Sequence, residues 1–194
     1  MLDLVKQETE RIESRFLEPA CGNGNFLAEI LTRKLGIVNQ RYSKSQLEWE
    51  RYAIIALSSI YGVDILEDNV EECRERLFQI FFYQYKTLYK KKIKPECEAS
   101  ARFILSHNIL WGDALSLKTP DAESKPIVFA EWSAVNGSLI KRRDYTLANL
   151  LLPRYAEANT LFSDLGDEVF LPTPIADYPL VHFLKLGEDA TNEL

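Results

Sequence analysis

Apolar residues along this chain fall into short runs typical of buried strands and into longer stretches with helical spacing. The short runs predict four strands, at 16–18, 60–65, 108–115 and 126–132. Helical spacing predicts three helices, at about 25–35, 46–59 and 66–91. Gly36 is expected to end the first helix, and Asp68 or Asn69 to cap the third. This alternation of strands and helices predicts an α/β fold whose sheet is mostly parallel.

The fourth strand, at 126–132, is expected to be parallel to the first three, and a hairpin is expected at its end. Asn136-Gly137 lies between two β-rich runs, which is the strongest short signal for a hairpin, here at 129–141. A short helix is expected near 146–152, ended by Pro153. Beyond it, the proline-containing tail is predicted to be irregular apart from a strand at 180–186. We therefore divide the chain into a domain at 1–152 and an extension at 153–194 that packs on the same domain.

The length of 194 residues and the net charge of −6 indicate one acidic, well-cored domain. No apolar run has the length of a membrane span, and the charged N-terminus lacks the apolar core of a signal peptide, so we expect a cytoplasmic protein. Three widely spaced cysteines and two isolated histidines predict neither a disulfide framework nor a metal site. Since an acidic surface opposes phosphate binding, DNA contacts would need a basic face or a protein partner.

A glycine-containing loop at 18–26, Glu-Pro-Ala-Cys-Gly-Asn-Gly-Asn-Phe, joins the first strand to the first helix. Gly22 and Gly24 lack a Cβ, so the turn can adopt positive φ and present bare backbone to a ligand. The amides at the start of the following helix would face the same ligand. An ordinary strand-to-helix turn is the alternative interpretation of two glycines taken alone.

Acidic residues follow the next two predicted strands, as Asp64 beside Ile65 and Asp113 beside Ala114. The carboxyl ends of parallel strands meet at one edge of the sheet, where open α/β sheets bind their ligands. The three loops together therefore predict one site. Each acid taken singly is equally typical of a turn or of a helix N-cap.

The loop string Glu-Pro-Ala-Cys-Gly-x-Gly-x-Phe resembles the cofactor-binding motif of S-adenosylmethionine-dependent methyltransferases, in the form found in the adenine-N6 DNA methyltransferases of restriction-modification systems. The resemblance extends through all three loops. It implies a Rossmann-like methyltransferase sheet, mostly parallel and reduced in strand number, with a β-hairpin after the fourth strand. It also implies S-adenosylmethionine as the cofactor and DNA as the partner, with DNA contacts supplied in part by another subunit or a recognition domain.

The resemblance assigns roles to individual residues. Asp64 would accept hydrogen bonds from both ribose hydroxyls, Ile65 would pack against the adenine, and Asp113 would bind the adenine amino group. Phe26 would cover the site. The full set of implied cofactor-binding residues is Glu18, Pro19, Ala20, Cys21, Gly22, Gly24, Asn25, Phe26, Asp64, Ile65, Asp113 and Ala114.

The catalytic tetrapeptide of that family, (Asn/Asp/Ser)-Pro-Pro-aromatic, does not occur in this chain. In the family it accepts hydrogen bonds from the target amino group and stacks on the flipped base. At the corresponding place, Glu131 could supply an acceptor and Trp132 a stacking ring. On the alternative interpretation, Glu131 points outward from its strand and Trp132 packs the hairpin.

The sequence is compatible with three functions. The first is methyl transfer to adenine N6 in DNA, and the second is a cofactor-binding subunit of a restriction or defence complex without turnover. The third, a dinucleotide-dependent oxidoreductase, is disfavoured because Leu27 stands where its fingerprint requires a glycine. Asp64 also lies much further along the chain than the ribose-binding acid of that fingerprint.

Overall fold

The structure, a computed structural model, describes residues 6–151 and 172–191. A parallel sheet lies at its centre and consists of β1 (Phe16–Glu18), β2 (Ile60–Asp64) and β3 (Ile109–Trp111). β2 is the middle strand, so the order is β1-β2-β3. All five residues of β2 are buried, because a middle strand of a parallel sheet is covered on both faces.

Helices cover the sheet and contribute most of the core. Their bounds are Lys6–Thr9 (α1), Asn25–Tyr42 (α2), Gln46–Ser58 (α3), Glu67–Tyr89 (α4), Pro95–Asn108 (α5) and Leu147–Leu151 (α6), with 3-10 turns at Lys90–Lys92 and Leu186–Thr191. Trp49 of α3 is fully buried, and its ring stacks on that of Tyr85 of α4 at 5.3 Å between centroids. Within the described residues, no helix combines the length and the apolar character that crossing a membrane requires.

Two details of the helices differ from the predictions. α2 continues past Gly36 because Leu35 and Val38 on either side of it are buried, which outweighs the cost of about 1 kcal/mol for a glycine inside a helix. α4 begins after Leu66, and neither Asp68 nor Asn69 is its cap. Asn69 instead donates to the Asp64 carboxylate, at 3.0 Å.

The predicted hairpin is confirmed. β4 (Val128–Val135) and β5 (Leu139–Thr146) pair antiparallel along eight residues each. Residues 136–138 connect them, and Asn136 and Gly137 have positive φ values of 39° and 77°, which an Asn-Gly pair adopts readily.

The expected parallel fourth strand is wrong. β4 belongs to a separate antiparallel sheet, so the hairpin contains the fourth strand and does not follow it. The physical reason is local: a three-residue turn closes antiparallel pairing at once, whereas a parallel strand requires a long crossover. The mixed α/β class is confirmed, with three parallel strands in the described residues.

The second sheet also contains part of the predicted extension. β6 (Ala176–Asp177) and β7 (Val181–His182) both pair antiparallel with β5. The strand expected at 180–186 is therefore limited to two residues before the chain turns, although Phe183 and Leu186 are buried. Residues 153–171 of the extension lie outside the described part of the chain.

Candidate functional site

The glycine loop folds back over the carboxyl end of β2. The Cys21 amide donates to the Val63 carbonyl at 2.9 Å, and the Gly22 amide donates to Asp64 Oδ2 at 2.8 Å. Gly24 precedes α2, and its carbonyl accepts from the Ala28 amide in the first turn of that helix. The loop and the acid after β2, which the sequence predicted to share a site, are therefore in direct contact.

The two loop glycines serve different purposes. Both have positive φ, 51° at Gly22 and 83° at Gly24. A Cβ on Gly24 would lie 2.5 Å from Cys73 Sγ, so Gly24 lets the loop approach α4 closely. A Cβ on Gly22 would meet no atom within 4 Å. Gly22 thus presents its backbone to open space, as a ligand cradle requires.

Asp64 is buried and joins three parts of the site. Oδ2 accepts from Gly22, while Oδ1 accepts from the Leu66 amide and from Asn69 Nδ2, both at 3.0 Å. Burial by itself raises the pKa of Asp64, but the hydrogen bonds from Asn69, Leu66 and Gly22 outweigh it and lower the pKa below its ordinary value. The side chain is therefore an ionised carboxylate, oriented by the protein, at the end of the middle strand.

The loop after β3 lies beside the first two. The Gly112 amide donates to the Asp64 carbonyl at 2.9 Å. Asp113 Oδ1 accepts from the Leu115 amide at 2.9 Å, which lowers the pKa of Asp113, with a further contribution from Ser116. The structure thus brings all three predicted loops to one edge of the sheet.

Apolar surface borders the same edge. Ile65 is 56% exposed, although it directly follows a buried strand. Its carbonyl accepts from Trp111 Nε1 at 3.0 Å, which fixes the backbone of this loop against β3. Ala114 is partly buried in the neighbouring loop.

The other predicted cofactor residues surround the loop at different depths. Pro19, Ala20 and Asn25 are exposed, and Glu18, at the end of β1, is half-buried. Asn25 accepts from Arg76 Nη1 of α4 at 2.5 Å. The two remaining predicted residues, Phe26 and Cys21, pack against the core. A hydrogen bond with Cys73, together with burial, raises the pKa of the Cys21 thiol.

The two predicted catalytic residues belong to the hairpin. Trp132 is 6% exposed, and its Nε1 donates to Asn108 Oδ1 at 2.8 Å. Glu131 forms an ion pair with Arg15 and another with Arg143, the latter at 3.6 Å. The contacts of Trp132 therefore match hairpin packing, and Glu131 is held between two arginines.

Sequence reasoning missed two residues that shape the loop, Gly62 and Cys73. A Cβ on Gly62, in the middle strand, would lie 2.9 Å from Cys21 Sγ and 3.0 Å from Leu27 Cδ1. A glycine inside a strand often marks such a close approach, so this signal was present in the sequence. The fit of Cys73 under Gly24 is a long-range contact that the sequence pattern does not reveal.

Searches of family models, curated proteins and solved structures found no significant match to this chain. The residues themselves are therefore the basis for a functional conclusion. They combine open backbone at Gly22, the Asp64 carboxylate 2.8 Å from the Gly22 amide, and the exposed apolar side chain of Ile65.

Proposed function

We propose that this chain binds S-adenosylmethionine at the carboxyl edge of its parallel sheet and transfers the methyl group to adenine N6 in DNA, in a restriction-modification context. The observation that carries the proposal is the Asp64 carboxylate held 2.8 Å from the Gly22 amide, with open space outside Gly22. The order β1-β2-β3 is that of one half of a doubly wound sheet, which supports a reduced Rossmann-like methyltransferase fold.

The proposed binding mode uses each loop for one part of the cofactor. The glycine loop takes the methionine part and the ribose, and the Asp64 carboxylate accepts hydrogen bonds from the ribose hydroxyls. The exposed side chain of Ile65 packs against one face of the adenine. Asp113 uses Oδ1 for the Leu115 amide and offers its second oxygen to the adenine amino group.

Catalysis by such a site is mainly positioning. The methyl carbon of a sulfonium is already electrophilic, so the protein needs only to hold the attacking nitrogen in line with it. In this proposal Glu131 accepts a hydrogen bond from the target amino group and Trp132 stacks on the base. In this structure both residues lie towards the amino edge, where Trp132 contacts Asn108 just before β3 and Glu131 pairs with Arg15 just before β1. Both would therefore have to move to the carboxyl edge to act on a base beside the methyl group.

A second candidate function is a cofactor-binding subunit without turnover. The observation that favours it is the state of the predicted catalytic pair, since Trp132 is buried against α5 and Glu131 is engaged by Arg15 and Arg143. Such a subunit would retain the carboxyl-edge site and act within a larger restriction or defence complex.

Titration calorimetry with S-adenosylmethionine tests the binding site shared by both candidates. We expect Asp64→Ala to weaken binding by about 1.5–3 kcal/mol, because a buried charged acceptor is lost. Gly22→Ala should also weaken binding, whereas Gly137→Ala, at another positive-φ glycine with open space around it, should not. Unchanged affinity in both Asp64→Ala and Gly22→Ala would remove the cofactor from this edge.

Transfer of labelled methyl groups to duplex DNA separates the two candidates. Incorporation into mixed-sequence DNA, but not into a duplex of G·C pairs alone, is expected for adenine methylation. Glu131→Gln should reduce the rate without a matching loss of cofactor affinity. Cofactor binding without any transfer would favour the second candidate.

A further inference from the structure

A groove of about 710 Å³ lies at the amino edge of the parallel sheet, opposite the glycine loop. It is bounded by the residues just before β1, by the C-terminal half of α3 and by the hairpin. Its volume is within the range of about 300–1,000 Å³ that is usual for small-molecule sites. The residues lining it include none of those predicted to bind S-adenosylmethionine.

Arg51 gives this groove an unused hydrogen-bond donor. Its Nε is buried and has no hydrogen-bond partner among the described residues. Nη1 lies 3.8 Å from Glu48 Oε2, which is a weak ion pair on the same helix. A buried donor without an acceptor is costly, so a shift of the guanidinium that brings Nε to an acceptor on a ligand would relieve that cost.

Arg15 places a second guanidinium at the groove, where it pairs with Glu131. The hydroxyls of Ser58 and Ser59 also line the groove but already donate to the Ile55 and Ala56 carbonyls, at 2.9 and 2.8 Å. Ser133, also in the lining, donates to Glu131 at 2.8 Å, so the two guanidinium groups are the charged donors at the groove. The lining itself has one acid, Glu13, for two arginines, while Glu131 and Glu48 outside the lining pair with Arg15 and Arg51.

The rest of the lining is apolar or aromatic. The ring of Tyr52 is fixed by stacking on Tyr42, with 3.8 Å between centroids and 7° between planes. Ile55 of α3, together with Trp132 and Ile140 of the hairpin, completes this wall. The groove therefore combines a cationic end with an apolar surface, which suits an organic anion better than an inorganic one.

We propose that this amino-edge groove is a second ligand site, for a small organic phosphate. Arg51 and Arg15 bind the phosphate, and the wall formed by Tyr52, Ile55 and Ile140 contacts the organic part. A guanidinium matches a phosphate with two parallel hydrogen bonds, and a phosphate monoester carries the charge that two arginines neutralise. The site shares no residue with the proposed S-adenosylmethionine site at the other edge, although Trp132 of its lining belongs to the proposed catalytic pair.

Calorimetric titration with AMP, inorganic phosphate and adenosine tests this site. AMP should bind, inorganic phosphate should compete more weakly, and adenosine, which lacks the anion, should bind least. Arg51→Lys keeps the charge but removes Nε, and we expect it to weaken AMP binding by about tenfold or more. Arg33→Lys is the matched control, because Arg33 is also a helical arginine with a glutamate partner, Glu29.

Three results would overturn the proposal. One is the failure of the wild-type protein to bind AMP or phosphate at millimolar concentration. Another is equal AMP affinity in Arg51→Lys and the wild type, with thermal unfolding showing that both are folded. The third is loss of AMP binding in Asp64→Ala, which would place AMP at the carboxyl edge. Because S-adenosylmethionine affinity is measured separately, failure at one edge is distinguishable from failure at the other.

Discussion

At the carboxyl edge of the parallel sheet a buried carboxylate is held by backbone amides, whereas at the amino edge a buried ammonium is held by backbone carbonyls. Asp64 accepts from the amides of Gly22 and Leu66. Lys34 of α2 is fully buried, and its Nζ donates to the Ile12 carbonyl at 2.8 Å and to the Ser14 carbonyl at 2.5 Å.

The difference follows from chain direction. Each parallel strand leads into a loop whose helix begins with free amides, and each helix that precedes a strand ends with free carbonyls. Backbone donors therefore favour an acid at the first edge, and backbone acceptors favour an amino group at the second. Ser59, at the C-terminus of α3, shows the second case, since its hydroxyl accepts from Lys34 at 2.7 Å and donates to the Ala56 carbonyl.

The largest expected effect comes from disturbing the packing beneath the carboxyl edge. Gly24→Ala should destabilise the protein by about 2–5 kcal/mol, because it combines positive-φ strain with a Cβ 2.5 Å from Cys73 Sγ. Gly137→Ala carries only the strain and should cost about 1–2 kcal/mol. Urea unfolding of both variants, and of Gly24→Ala combined with Cys73→Ala, measures the two contributions. If Cys73→Ala does not reduce the stability loss caused by Gly24→Ala, the steric part of this explanation is wrong.

A smaller effect is expected at the amino edge. Lys34→Met leaves the Ile12 and Ser14 carbonyls without their donor, and we expect a loss of about 1–3 kcal/mol in the free energy of unfolding at neutral pH. Urea titration measures this loss. Lys125→Met, at an exposed ion pair with Glu123, is the control and should change stability little.

The stability difference between the wild type and Lys34→Met should also depend on pH. Burial lowers the pKa of Lys34 from 10.5 to about 7 in the folded protein. Between those values the unfolded chain binds more protons, so this lysine makes stability rise with pH, by up to about 1.4 kcal/mol per pH unit. The wild type should therefore gain stability relative to Lys34→Met from pH 7 to pH 10. A difference that is constant with pH would show that Lys34 stays protonated.

The smallest expected effect belongs to Asp64→Asn. The amide retains one acceptor oxygen, so we expect a loss of about 1–2 kcal/mol in stability at neutral pH. Since the folded pKa of Asp64 lies below its ordinary value of 3.8, the stability from its charge is present above 3.8 and is lost as pH falls through the folded pKa. Circular dichroism measures the stability of both proteins as the pH falls. Below pH 3.8 the wild type should lose more stability than Asp64→Asn, which has no titrating group at this position. Identical acid transitions would contradict it.

Sequence patterns located most elements because local signals determine them. β1 was predicted with its observed bounds, α3 to within one residue, and the hairpin turn at the position where Asn136 and Gly137 have positive φ. The proximity of Gly22 and Asp64 was also predictable, since both lie at the carboxyl ends of strands in one parallel sheet. The burial of Lys34 had a signal too, because position 34 falls on the apolar stripe of α2 with Leu27, Ile30 and Leu31.

Tertiary structure decided what depends on contacts between distant segments. β4 joined the antiparallel sheet, and this placed Trp132 against Asn108 and Glu131 between two arginines. The unused donor of Arg51 has no counterpart in the sequence pattern, because it arises from how α3, the N-terminal segment and the hairpin enclose a groove. The sequence by itself determined the glycine loop and the acids at the strand ends, since turn conformation and the succession of elements along the chain depend on local residues. Which side chains became buried, and which polar atoms remained available, was decided only when the layers packed together.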